Sequence, residues 1–85
     1  MYAFSYVVKD PAGVHARPAG LLSREGKKYK SAISVCKDAE AVNILKLMAL
    51  MRLNIKYGDM VTVRVEGEDE TVAGPAMETF FAQYL

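Results

Sequence analysis

From Asp59 to Glu66 the chain shows its clearest alternation: Val61, Val63 and Val65 point one way, and Thr62, Arg64 and Glu66 the other. Alternation of period two is the signature of a strand with one buried face. Such a strand needs a sheet beside it and an apolar layer over one side only. Other segments supply both. Tyr2 to Val8 is aromatic and β-branched and reads as a strand. Ser31 to Lys37 alternates, with Ile33 and Val35 on one face and Ala32, Ser34 and Cys36 on the other. Asp38-Ala39 then turns the chain into a short strand, Glu40 to Asn43. Helical spacing is read over Ala16 to about Lys28, within Val42 to Leu53, and from Asp69 onward. The order is strand, helix, strand, strand, helix, strand, helix. Antiparallel strands with helices on one face make an α+β two-layer sandwich.

Size and charge bound the function. Eighty-five residues make one domain, 1–85. A chain of this size buries only roughly 60–65 % of its unfolded surface, so its chemistry must sit near the surface and be shared with a partner. The single cysteine, Cys36, allows no internal disulfide and suits a reducing cytoplasm. One histidine without clustered acids makes no metal site, and no cofactor is implied. The N-terminus does not read as a signal peptide, and no apolar run is long enough for a membrane span. All eleven Lys and Arg lie in residues 1–64, for a net +6, whereas residues 65–85 carry −5. A basic region of this kind favours an acidic partner surface. A nucleic-acid module would need aromatics and bases on its exposed strands, and Thr62, Arg64 and Glu66 make a poor stacking platform.

The lone histidine lies in Gly13-Val14-His15-Ala16-Arg17-Pro18-Ala19-Gly20. Gly13 permits an unusual turn, and Pro18 falls in the first helical turn, where a missing N–H costs little. At a helix start the N–H groups point outward and the dipole is positive, which attracts phosphate. His15 stands at this end as the candidate nucleophile. A phosphoryl group on it would gain N–H donors, and Arg17 would add charge-assisted hydrogen bonds. Taken alone, a surface histidine reads more simply as a helix cap; the glycine, arginine and proline around it favour phosphate chemistry.

A second segment is unusually apolar. Eight of the ten residues from Ile44 to Leu53 are apolar, with Lys46 and Arg52 the exceptions. A short helix on a sheet buries one stripe. If Leu50 and Leu53 face inward, Leu47, Met48 and Met51 are left exposed, and such patches mark interfaces. The other reading is a fully buried helix.

Both segments, with the element order and length, resemble the histidine-containing phosphocarrier (HPr) family of the bacterial phosphoenolpyruvate:sugar phosphotransferase system. The resemblance covers essentially the whole chain. It implies an open-faced sandwich, βαββαβα, of four antiparallel strands with three helices on one face. It implies that His15 takes a phosphoryl group on Nδ1 from phospho-Enzyme I and passes it to EIIA domains, steadied by Arg17 and the N–H groups of Ala16 and Arg17. The family's docking surfaces fall on Gly20, Leu21, Arg24, Lys27, Lys46, Leu47, Met48 and Met51. A cytoplasmic monomer is expected. In members of this length the terminal carboxylate approaches the active-site arginine, which predicts Leu85 near Arg17.

The chain departs from the family in several places. Lys46 stands where many Gram-positive members carry a serine phosphorylated by a regulatory kinase, so that control is lost. Lysine is also a poorer helix cap. Asp38-Ala39 replaces a common Asn-Gly turn, and alanine is poor at positive φ, so another turn or some strain is expected. Asn54, in place of a frequent glycine, suits a left-handed helix end. Gly26 weakens the first helix near its end, and Pro75 makes the last helix begin later or kink. These departures leave room for a paralogue whose output is regulatory, through phosphorylation-dependent binding of a sensor or transcription factor.

Overall fold

A computed structural model describes all 85 residues. The elements are β1 (Tyr2–Val7), α1 (Ala16–Gly26), β2 (Ala32–Lys37), β3 (Glu40–Asn43), α2 (Leu47–Arg52), β4 (Met60–Glu66) and α3 (Glu70–Tyr84). The strands form one antiparallel sheet in the order β1-β4-β2-β3. The central strand β4 aligns Val63 with Phe4 on one side and Val35 on the other, and Val65 with Tyr2 and Ile33. These side chains share the helix-covered face. The other face carries small and polar residues, with Ser5 paired to Thr62 and Ser34 to Arg64 across the sheet.

One core of 18 residues lies between the sheet and the helices. Ala19 and Leu22 come from α1, Leu50 from α2, and Ala73, Met77, Phe80 and Phe81 from α3. Phe81 holds α3 on the sheet edge by edge-to-face contacts with Phe4 and Tyr6, both at 5.7 Å between ring centres. This geometry suits aromatic pairs, whose edges and faces carry opposite partial charge. Tyr84 lies 42 % exposed at the end of α3, against the Phe80 ring.

Two departures from helical propensity have packing reasons. Pro75 neither delays nor ends α3, which runs unbroken from Glu70. A Cβ on Gly74 would strike the Tyr2 ring at 2.3 Å, so glycine there brings the helix down onto β1. Gly26 likewise seats α1 on Ile44, whose Cδ1 would be 2.5 Å from an added Cβ. At the β2–β3 turn, Asp38 takes the left-handed backbone (φ 54°) and Ala39 does not. Asp is tolerated there, so the turn avoids the strain alanine would incur. Asn54, following α2, also takes φ 54°, as a left-handed helix stop requires.

Side chains tie the loops to this frame. Asp69, just before α3, accepts the N–H groups of Lys30 (2.8 Å) and Ser31 (2.9 Å) and the Ser31 hydroxyl. The Ser31 hydroxyl, with these N–H groups, holds the Asp69 carboxyl below its ordinary range. Lys37 donates to the Asn54 carbonyl (2.7 Å) and pairs with Asp59 (3.0 Å), while Asp59 also accepts the Lys56 N–H (2.9 Å). The connection from α2 to β4 is thus pinned, and the loop that carries His15 rests on it.

Candidate functional site

The loop from Asp10 to His15 is built by backbone constraints. The Asp10 carboxylate accepts the Ala12 N–H (2.8 Å), and the Asp10 carbonyl accepts the Gly13 N–H (2.9 Å). Gly13 takes φ +69°, and a Cβ there would strike the Ile55–Lys56 backbone. Val14 donates to the Ile55 carbonyl (2.9 Å) and is buried. His15 follows in an extended conformation (φ −108°, ψ −169°) and Ala16 begins α1.

His15 occupies the N-cap position, yet its side chain makes no capping hydrogen bond. Its carbonyl accepts the Ala19 N–H (2.9 Å), so only its backbone serves the helix. The helix-cap reading therefore fails: the imidazole is exposed and free. Ala16 and Arg17 follow with N–H groups that meet no backbone acceptor, and Pro18 has none to offer. Two donors and the positive end of an 11-residue helix thus lie next to the imidazole.

His15, Arg17, Pro18 and Leu21 form one wall of a shallow recess of about 250 Å³, and Asp10, Gln83 and Tyr84 complete it. Arg17 is exposed and takes part in none of the four ion pairs of the chain. Sequence reasoning missed Asp10, Gln83 and Tyr84. No local pattern marks them; the recess exists because α3 ends over α1. One expectation is corrected here. The Leu85 main-chain oxygen accepts the N–H groups of Lys9 (2.6 Å) and Asp10 (2.8 Å), and Leu85 is buried. Those bonds turn it onto the β1–α1 loop, and it forms no ion pair with Arg17.

The apolar stripe of α2 divides as helical spacing requires. Leu50 and Leu53 are buried, whereas Leu47 is 38 %, Met48 62 % and Met51 36 % exposed. Leu45, not singled out from sequence, adds 49 % exposure to the same patch. The fully buried alternative is excluded. Lys46 precedes α2 at the N-cap without a side-chain cap, and Asn43 accepts the Leu45 N–H (2.9 Å) in its vicinity. On α1, Arg24 and Lys27 are exposed, and Gly20 and Leu21 are half-buried. α1 and α2 pack side by side, so the basic and apolar residues belong to neighbouring helices.

A histidine displayed at a helix N-terminus beside an unpaired arginine, on an open-faced βαββαβα sandwich, is the arrangement expected of a small phosphocarrier. The comparisons agree. The family model described as "PTS HPr component phosphorylation site" matches residues 2–83. The phosphocarrier protein HPr of Mycoplasma genitalium is 39 % identical over 79 residues, 92 % of this chain and 90 % of that one. The HPr-like protein Crh of Halalkalibacterium halodurans is 40 % identical over 73 residues, 86 % of this chain and 87 % of that one. Among solved structures, an HPr from Thermoanaerobacter tengcongensis superposes with a TM-score of 0.92 at 33 % identity, covering 99 % of this chain and 94 % of that one. The chain belongs to the HPr family of phosphocarriers of the phosphotransferase system.

Proposed function

We propose that His15 is the phosphoryl acceptor of this phosphocarrier, taking the group on Nδ1 from phospho-Enzyme I and delivering it to EIIA domains. The observation that carries this reading is the pair of unbonded N–H groups of Ala16 and Arg17 beside an imidazole that caps nothing. In the transfer, the His15 nitrogen lone pair forms a new N–P bond as the donor's bond to phosphorus breaks, and that bond's electron pair returns to the donor side chain. The phosphoryl group brings about −1.5 to −2 charges. The helix N–H donors and the Arg17 guanidinium are already in place to meet it, which is what phosphoryl transfer chiefly demands.

The same partners dock in turn on one surface: Gly20, Leu21, Arg24 and Lys27 of α1, with Lys46, Leu47, Met48 and Met51 at α2. Flexible methionines suit successive partners, and the basic rim suits acidic ones. The chain works as a single-domain cytoplasmic monomer without nucleic acid or membrane insertion. No helix is long and apolar enough to cross a membrane.

Incubation with phosphoenolpyruvate, magnesium and Enzyme I should add one acid-labile phosphate, read by intact mass. Failure to gain it, with Enzyme I active on another carrier, would sink the reading. Met48→Glu should lower the rate of transfer to and from partners by roughly tenfold or more at limiting protein, through KM rather than kcat. The fold should be unchanged, since Met48 is exposed. A variant with the parent's KM would remove α2 from the docking surface. A regulatory paralogue is the second reading, favoured by the similarity to a solved Bacillus subtilis Crh described as a catabolite repression protein. Phosphate delivery to a sugar-transporter EIIA separates the two.

A further inference from the structure

Asp10 is the one acidic side chain in the recess that holds His15 and Arg17. Its position is fixed at three points. Its N–H donates to the Leu85 oxygen (2.8 Å), its carbonyl accepts the Gly13 N–H (2.9 Å), and its carboxylate accepts the Ala12 N–H (2.8 Å). No lysine or arginine neutralises it, for it enters none of the chain's ion pairs. A fixed and unpaired negative charge therefore borders the space where a phosphoryl group on His15 would sit.

We infer that Asp10 tunes the transfer potential of phospho-His15, keeping the phosphoryl group easy to give away. This rests on the carrier reading above. Two effects act in the same direction. In the phosphorylated protein the carboxylate repels the phosphoryl oxygens across a small recess. In the free protein it attracts the Arg17 guanidinium across the recess without pairing with it, an attraction weakened when Arg17 turns to phosphate. Both raise the free energy of the phosphoprotein relative to the free form. A carrier that must accept from one protein and release to another gains from such an offset, because a site that only stabilised phosphate would retain it. Asp10 does not exchange a proton or a bond; it acts through the field at the site.

Charge and structure can be separated at this position. Asparagine keeps an oxygen to accept the Ala12 N–H and removes the charge, whereas alanine removes both. The parent chain, Asp10→Asn and Asp10→Ala would be equilibrated with phosphoenolpyruvate, pyruvate, magnesium and Enzyme I, and the phosphorylated fraction read by intact mass. For Asp10→Asn the equilibrium should move toward the phosphoprotein by roughly three- to tenfold, and the isolated phosphoprotein should hydrolyse more slowly. The shift should shrink at high salt. Asp10→Ala should show a similar shift with a lower melting temperature. An Asp10→Asn equilibrium equal to the parent's, or moved the other way, would overturn the inference. So would a shift confined to Asp10→Ala, which would make Asp10 a purely structural turn residue. If the parent chain itself takes up no phosphate, the carrier reading fails first and this inference falls with it.

Discussion

His15→Ala is expected to fold as the parent chain does and to take up no phosphate at all. The two halves of that result have separate causes. The imidazole is exposed, forms no capping bond and contributes only its backbone to α1. Removing an exposed side chain of this kind changes stability by within about 0.5 kcal/mol. Melting curves of variant and parent should therefore nearly coincide. The chemical loss should be complete, because His15 is the only histidine in the chain. The N–H groups of Ala16 and Arg17 and the Arg17 guanidinium would remain, but they stabilise a phosphoryl group and cannot form the covalent bond. Intact-mass analysis after incubation with phosphoenolpyruvate and Enzyme I reads the outcome. One acid-labile phosphate on the alanine variant would place the acceptor elsewhere and refute the assignment of His15.

Gly13→Ala should be among the most damaging single-methyl additions. Its backbone is left-handed, at φ +69°, which an L side chain adopts only with strain. The new Cβ would lie 2.3 Å from the Ile55 carbonyl oxygen and 2.8 Å from the Lys56 α-carbon. Both obstacles are backbone, and that backbone is pinned by the Lys37 and Asp59 contacts, so it cannot yield cheaply. A destabilisation of about 2–3 kcal/mol follows, which for a domain of this size lowers the melting temperature by roughly 10–20 °C. The damage should also reach the site below the melting point. Displacing Gly13 weakens the Val14 hydrogen bond to Ile55 and moves His15 against the start of α1. Phosphate uptake at 25 °C should slow more than the folded fraction explains. A variant with the parent's melting temperature would show that the loop relaxes freely and that Gly13 is no constraint. By contrast, Gly20 has open space where its Cβ would go and should accept alanine.

Much of this architecture is legible in local pattern. The alternation at β2 and β4, the aromatic β1 and the spacing of α1 each report which side of an element meets the core, because side-chain direction follows backbone period. The same logic divides α2, where six residues cannot bury every apolar side chain. Helix interruptions were less legible. Gly74 and Pro75 look like defects in a propensity scale, but both lie inside a continuous helix whose packing on Tyr2 and the sheet outweighs propensity, whereas Gly26 is the last residue of α1 and lets that end approach Ile44. At Asp38-Ala39 another turn or some strain is expected, and the structure takes the first course, with Asp38 absorbing the left-handed conformation in place of Ala39.

The sequence by itself determined the order of elements, the covered face of the sheet and the placing of His15 before a helix. These depend on residues near one another along the chain, where periodicity, turn chemistry and helix-end geometry act. Tertiary structure alone decided what surrounds the imidazole. Asp10 lies on the first loop, and Gln83 and Tyr84 at the end of the last helix; they meet His15 and Arg17 because Phe81 anchors α3 on β1 and the Leu85 oxygen binds the Lys9 and Asp10 N–H groups. The same bonds keep Leu85 out of an ion pair with Arg17. Contacts between distant segments are set by how the packed layers end, and no local pattern encodes where those ends meet.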